Sequence, residues 1–258
     1  MKSFILMIAT ALNFSVLADT VEKADALYGA RGENMENATQ AALIYETLAA
    51  KEAENMAKAA LWIKQSRAIY YVAVKEDAKI IYKKAAVPAQ AAAELFPEPE
   101  TLEEEELKAK ALYWYGTNVA RTGSVINPRP AYKSVEIMKA IIEMGYEHIY
   151  DYGPYRVLGR IRHKAPDFLP LGSKEEAEVF LGKAFENTLV SEEVSVSRYG
   201  LNNLYYAQTL KARGKKSRGC EILGLFVRQD PEALNRDRIP ETKDEIEEAR
   251  AWIQESGC

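Results

Sequence analysis

The stretch from Gly172 to Asn187, GSKEEAEVFLGKAFEN, decides the fold. Ser173 is followed three residues later by Glu176, a capping box in which each side chain satisfies a free amide of a helix's first turn. Behind the cap, Ala177, Leu181 and Ala184 share one helix face in the order small, large, small. Small residues let a second helix approach closely and the large one fills the groove between them. The stretch therefore reads as one arm of a helical hairpin.

Periodicity of the same kind extends in both directions. In Ala38–Lys51 (ATQAALIYETLAAK), Ala41, Ile44, Tyr45 and Leu48 fall on one face. Residues 52–76 continue the pattern for about six turns without glycine or proline. Capping boxes are also predicted at Thr101/Glu104 and Thr242/Glu245. Breaks are predicted at 29–34, 96–100 (FPEPE), 126–130 (INPRP), 165–173 (APDFLPLGS) and 236–240 (RDRIP). The expected fold is all-α, with nine to eleven helices paired as antiparallel hairpins. The small–large–small spacing is that of the tetratricopeptide (TPR) repeat. Ala41, Tyr45 and Leu48 approximate it after Tyr28-Gly29, and so does 202–223 (NNLYYAQTLKARGKKSRGCEIL), with Tyr206 and Ala207 on a first helix and Cys220 opening a second. A degenerate TPR-like superhelix is therefore expected over residues 19–258 as one domain.

The chain has 258 residues, is 48% apolar and 28% charged, and carries a formal net charge of −4 with acids and bases interleaved. These are globular proportions, and they supply no basic patch for nucleic acid. The N-terminus, MKSFILMIATALNFSVLADT, has a lysine, an apolar run and a small-residue site at Val16-Leu17-Ala18. It reads as a signal peptide over residues 1–18, cleaved before Asp19, which implies export to the periplasm. No cysteine stands at the cleavage site to take a lipid anchor. The two cysteines, Cys220 and Cys258, either bridge in an oxidising compartment or remain as one buried and one terminal thiol.

Enzyme motifs are missing: there is no phosphate loop, no dinucleotide fingerprint, no H-E-x-x-H and no nucleophile elbow. His148 and His163 stand apart, and no cysteine has zinc-ligand spacing. Neither catalysis, nor a metal, nor a cofactor is expected. What remains looks like recognition. Fifteen tyrosines are many for this length, and tyrosine and tryptophan offer large contact area with a polar tip. In Leu112–Gly123 (LYWYGTNVARTG), Leu112, Tyr115 and Val119 share one helix face, and Trp114, Asn118 and Arg121 another. These residues either line a binding surface or pack between hairpins. Asn203 and Tyr206 carry the same two readings, with Asn202 and Asn203 alternatively serving as caps or interhelix hydrogen-bonders.

Asp151–Pro166, DYGPYRVLGRIRHKAP, has too few glycines for a dinucleotide loop and no strand before it. It reads as a short helix, with Pro154 in its first turn and Pro166 ending it. Arg156, Arg160 and His163 or Lys164 line one side, and Val157, Leu158 and Ile161 the packed side. The arginines either hold a ligand carboxylate or pair with neighbouring acids. On the first reading, Arg156→Ala weakens binding more than stability.

Taken in order, LYWYGTNVARTG, DYGPYRVLGRIRHKAP and GSKEEAEVFLGKAFE resemble the T-component (TatT) family of tripartite ATP-independent periplasmic (TRAP) transporters. The resemblance covers about 112–214, and the middle stretch is similar to the family's G-P-x-R-x-L-G pattern through Gly153, Pro154, Arg156, Leu158 and Gly159. It implies a non-enzymatic helical protein that docks a periplasmic substrate-binding protein, passes a small organic acid and can form homo-oligomers. Family members are typically lipoproteins, and this chain departs from them in lacking the lipobox cysteine. The alternative function is a general TPR scaffold for envelope proteins, which predicts an open concave surface without a small-molecule pocket.

Overall fold

A computed structural model describes residues 20–191 and 194–258; the expected signal peptide, 1–18, lies outside the described residues. The described chain is all-helical and arranged as an array of packed hairpins. Its helices are α1 (Val21–Gly29), α2 (Met35–Lys51), α3 (Asn55–Glu76), α4 (Lys79–Glu94), α5 (Leu102–Thr122) and α6 (Arg129–Glu143). They continue as α7 (Ile149–Lys164), α8 (Lys174–Glu186), α9 (Gly200–Ala212), α10 (Lys216–Phe226), the single turn α11 (Pro231–Leu234) and α12 (Ile239–Ser256). Two 3-10 turns, Ala30–Gly32 and Arg236–Arg238, complete the elements. Leu189 and Ser197 form one isolated antiparallel bridge, and no strand occurs among the described residues.

One helix boundary escaped the sequence reading. The pattern read as running on from 38–51 through 52–76 is interrupted at 52–54, because the Glu54 carboxylate caps α3 by accepting from the amides of Met56 and Ala57 at 2.8 and 2.5 Å. The end of that pattern at Glu76 coincides with the end of α3, where Asp77 turns left-handed at φ 47°. At Thr101 the capping box forms in both directions, and Ser173 accepts from the Glu176 amide at 3.1 Å. The box at Thr242/Glu245 does not form. Pro240 stands in the first turn of α12, so the helix starts earlier, and Thr242 is buried inside it with a hydroxyl that has no partner.

Contacts between helices define two layers. Neighbours in sequence pack as hairpins, and in addition α3 touches α5, α5 touches α7, α7 touches α9, and α9 touches α12. These alternate helices form an inner wall, and α4, α6, α8 and α10 lie outside it. Close approach rests on small residues at the contacts. Ala85, Ala89 and Ala92 of α4 and Ala109 and Ala111 of α5 are fully buried. On α7, Gly159 seats Leu181 of α8, the large residue of the opening motif; a Cβ at Gly159 would stand 2.5 Å from the Leu181 Cγ. Leu181 is itself fully buried, so the hairpin predicted from its spacing has its groove filled as expected.

The inner wall closes on itself. Arg31, in the turn after α1, is 3% exposed and donates to both carboxylate oxygens of Glu241 on α12, at 2.9 and 2.7 Å. It also donates to the Asp237 and Tyr28 carbonyls, and Lys75 of α3 reaches Asp244 of α12 at 2.6 Å. Bidentate guanidinium–carboxylate pairing is among the strongest side-chain contacts in geometry and energy. First and last elements are thereby joined, and the array encloses a central space. Cys220 of α10 and Cys258 form a disulfide with Cα atoms 5.6 Å apart, which ties the C-terminus to the outer layer. The sequence had left that bridge open.

Candidate functional site: a two-lobed aromatic cavity

The central space is a partly open cavity of about 370 Å³ that shares wall residues with a second lobe of about 210 Å³. Tyr70, Tyr113, Trp114, Arg121, Tyr199 and Tyr205 line both lobes and form the junction. Every inner helix contributes. The i, i+3, i+4 spacing of Arg67, Tyr70 and Tyr71 puts them on one face of α3, and the same geometry turns Tyr113, Trp114 and Thr117 of α5 inward. Tyr70 and Trp114 meet edge to face at 5.3 Å, and Tyr113 stacks on Tyr150 at 4.7 Å.

Arg156 organises the α7 side. Just before it, Tyr150, Asp151 and Tyr152 all adopt left-handed backbone angles, with φ of 48°, 56° and 57°. Three such residues in a row cost roughly 1–2 kcal/mol each, because Cβ crowds the following carbonyl. The Arg156 guanidinium receives the carbonyls that this turn directs inward. It donates to Tyr150 O and Asp151 O, both at 3.0 Å, and also to Tyr113 Oη at 2.9 Å and Asn202 Oδ1 at 3.1 Å. Gly153 lets the turn pass the Tyr113 ring, which a Cβ would meet at 2.3 Å. The outcome is a Tyr150 ring held in the first lobe, with burial pushing its hydroxyl pKa up to about 12.

Arg156 also lies 3.7 Å from the centre of the Tyr199 ring, and Arg238 lies 3.8 Å from the same centre. Two guanidinium carbons at that height cannot share a face, so the phenol is sandwiched between them. Arg238 is neutralised by Glu245 at 2.7 Å. Burial works against its charge, but Glu245 and the Tyr199 ring more than offset this and hold its pKa above the ordinary guanidinium value. Arg156 forms no ion pair with any carboxylate among the described residues and is 3% exposed. A buried cation without a counter-ion is expensive, and four hydrogen bonds and a ring face provide its only compensation.

The structure divides the sequence-predicted binding residues. Trp114, Arg121, Arg156 and Arg160 line the cavity. Asn118 does not: it is fully buried and donates to Trp114 O and Ser66 Oγ, at 2.8 and 3.2 Å, in the α3–α5 interface. Tyr115 points to α6, where Lys133 donates to its hydroxyl. Asn203 is likewise buried, holding the Ser197 amide and carbonyl at 2.8 Å, so the hydrogen-bonding reading of that residue applies. Tyr206 packs on Phe185 at the outer face, away from the central space. The reading of Arg156 as a free carboxylate clamp also changes, since both its Nη atoms are engaged by protein groups. The bland alternative changes too, because those groups are carbonyls, an amide and a phenol, not acids. Val157 and Ile161, expected on the packed side of α7, line the second lobe, and only Leu158 is fully in the core.

Several wall residues were missed. The Arg67–Tyr70–Tyr71 face was legible, since i, i+3, i+4 spacing puts an arginine and two aromatics on one side of a helix. Tyr199, Arg238 and Glu245 carried no such local signal, because they reach the cavity only after α12 has closed against α1. No group of histidine, cysteine, aspartate and glutamate side chains able to hold a metal occurs among the described residues, and none of the described helices is long and apolar enough to cross a membrane.

Fold and site together define a class: an all-α hairpin array, its first and last elements joined, around a partly open cavity of tyrosine, tryptophan and arginine. Set against known proteins, the chain matches no protein-family model and no curated sequence.

Proposed function

We propose that this chain is an exported, non-enzymatic binding protein that holds a small organic acid in its central cavity. It would work in the manner of the TRAP-associated T components, docking a periplasmic substrate-binding protein. The observation that carries the reading is the charge pairing of the wall. Its acids are largely neutralised: Glu241 by Arg31, Asp244 by Lys75, Glu245 by Arg238 and Asp151 by Arg198. Arg67, Arg121, Arg156 and Arg160 line the same space and form no ion pair with a carboxylate among the described residues. A surplus of guanidinium charge along this wall, fully buried only at Arg156, favours an anionic guest.

A scaffold surface accounts less well for a partly open cavity lined by aromatic rings and arginines, with the Arg31–Glu241 guanidinium–carboxylate pair at its rim. The Glu245 oxygens are both engaged by Arg238, at 2.7 and 3.4 Å. Native mass spectrometry of the purified mature chain tests the proposal. A co-purifying organic acid, or a periplasmic binding protein in stable complex, is expected. A ligand-free protein that captures only unfolded peptides would instead favour the scaffold.

A further inference from the structure

The two lobes differ in charge. The first is bordered by six acids as well as by cations, whereas the second has Arg121, Arg156, Arg160 and Lys164 on its wall and no carboxylate. Resting on the reading of the cavity as a ligand site, we propose that the second lobe seats the anionic group, carboxylate or phosphate, of a ligand with a flat unsaturated body. That body lies in the ring-lined junction between the lobes.

Three further observations point the same way. Donors are free in the second lobe: Arg160 forms one hydrogen bond, from Nη1 to Gln208 at 2.6 Å, while its guanidinium rests on Tyr205 at 4.0 Å. Arg121, exposed and engaged by the Tyr70 hydroxyl, has no carboxylate partner. Second, two nine-tenths-buried polar groups in this wall have no hydrogen-bond partner, the Thr117 hydroxyl and the Trp114 indole N–H. The Tyr150 phenol lies beside that indole but outside hydrogen-bond geometry. Buried polar groups are rarely left unsatisfied, and both line the second lobe, where an oxygen of the bound anion would accept from them. Third, the cations crowd one another. Arg160 chiefly, then burial, holds the Lys164 pKa below its ordinary value, and burial followed by repulsion from Arg121 lowers that of Arg160. Glu248 is the acid that bears on Arg160 and Lys164, but it pairs with neither. An anion between these groups relieves the repulsion. The junction supplies five rings, those of Tyr70, Tyr113, Trp114, Tyr199 and Tyr205, which suit a planar guest by stacked or edge-to-face contact.

The test uses the mature, disulfide-intact chain, titrated by tryptophan fluorescence and calorimetry. Probes are cinnamate, indole-3-acetate and phenyl phosphate, with cinnamamide and indole-3-acetamide as neutral matches and decanoate as a non-planar acid. At least one aromatic anion is expected to bind, with the matched amide (benzyl alcohol for phenyl phosphate) and decanoate at least roughly tenfold weaker. The carboxylate and phosphate probes show which headgroup the seat prefers. Arg160→Gln should weaken the anion roughly tenfold to a hundredfold and leave the neutral match unchanged, as expected for one charge-assisted hydrogen bond. Lys164→Gln, at an exposed side chain, provides a second variant that folds independently of cavity packing and should weaken the anion in the same selective way. Equal binding of acid and neutral match, or no effect of either variant, overturns the anion seat. Decanoate binding as tightly as the aromatic acids overturns the planar body. If no aromatic anion binds while native mass spectrometry recovers another organic acid, this proposal falls and the cavity reading stands. If neither is found, both fall.

Discussion

Replacing Arg156 with methionine tests whether one guanidinium holds the left-handed turn in place. The turn Tyr150–Tyr152 carries roughly 3–6 kcal/mol of backbone strain at ~1–2 kcal/mol per residue. Two of its carbonyls receive Arg156 at 3.0 Å, and Tyr113 Oη and Asn202 Oδ1 receive it as well. Methionine fills most of the volume but leaves these acceptors short of a donor in a buried site, at about 1–3 kcal/mol each. Working against that, the substitution removes a buried cation without a counter-ion, which recovers several kcal/mol of desolvation. A net loss of about 3–5 kcal/mol is expected. For a chain of this size that lowers the melting temperature by roughly 10 °C, at ~2–4 °C per kcal/mol. Arg156→Lys should lose nearly as much, since an ammonium cannot span four acceptors. Thermal and urea unfolding followed by circular dichroism give the number, and fluorescence of Trp114, which meets Tyr150 edge to face at 5.4 Å, reports whether the turn has moved. A methionine variant within about 1 kcal/mol of the parent, or a fully stable lysine variant, would refute the reasoning. The sequence had suggested that Arg156 acts more on binding than on stability; the geometry gives it a structural load that this variant measures.

Two glycine replacements within the opening motif should have opposite signs. A Cβ at Gly172 would stand 2.0 Å from the Pro166 carbonyl oxygen, so Gly172→Ala is expected to destabilise by at least ~1–3 kcal/mol. Gly182, whose Cβ would meet nothing closer than 3.6 Å, should gain ~0.5–1 kcal/mol as alanine from helix propensity alone; paired urea titrations distinguish the two. The Cys220–Cys258 bridge closes a separation of 38 residues, and its chain-entropy effect is about 4 kcal/mol, so Cys220→Ser/Cys258→Ser should fall in stability by up to that amount, and an unchanged unfolding midpoint would show that the bridge constrains little. His163 is held near a pKa of about 4 by burial first, then by Arg160, Lys174 and Lys164. The folded state therefore binds fewer protons than the unfolded chain between pH 6.5 and 4, so this contribution to stability is complete above pH 6.5 and declines as pH falls to 4. Because the ring is only partly buried, the effect is discounted to ~1–2 kcal/mol, and His163→Gln should flatten the stability–pH slope in that window; an identical slope would count against it.

The helical architecture was legible because its determinants are local. Ser173 caps α8, Thr101 caps α5, and Ala177, Leu181 and Ala184 share a face whatever packs against it. Spacing of this kind survives in one dimension because an α-helix repeats every 3.6 residues. The boundary without a standard cap was not legible: α2 ends at Lys51, and α3 is started by Glu54, a residue that rarely caps. The candidate site was half legible. Trp114, Arg121, Arg156 and Arg160 are cavity residues, whereas Asn118, Tyr115, Asn203 and Tyr206 have the same composition and periodicity but lie in interfaces or on the outer face. A helical wheel orders faces without saying which one a neighbour covers.

By itself, then, the sequence determined the elements: an all-α chain of hairpins, alanine- and glycine-lined where helices meet, with its aromatics and arginines gathered on a few faces. Only the tertiary structure decided that the array closes, through Arg31 and Glu241, residues 210 apart in the chain, and so encloses a cavity. It also decided that Arg156 holds a strained turn and that the second lobe carries cations without acids. The physical reason is range. Helix formation is settled within a few residues by hydrogen bonds and side-chain spacing, while charge balance and enclosure depend on groups brought together only when the last helix meets the first.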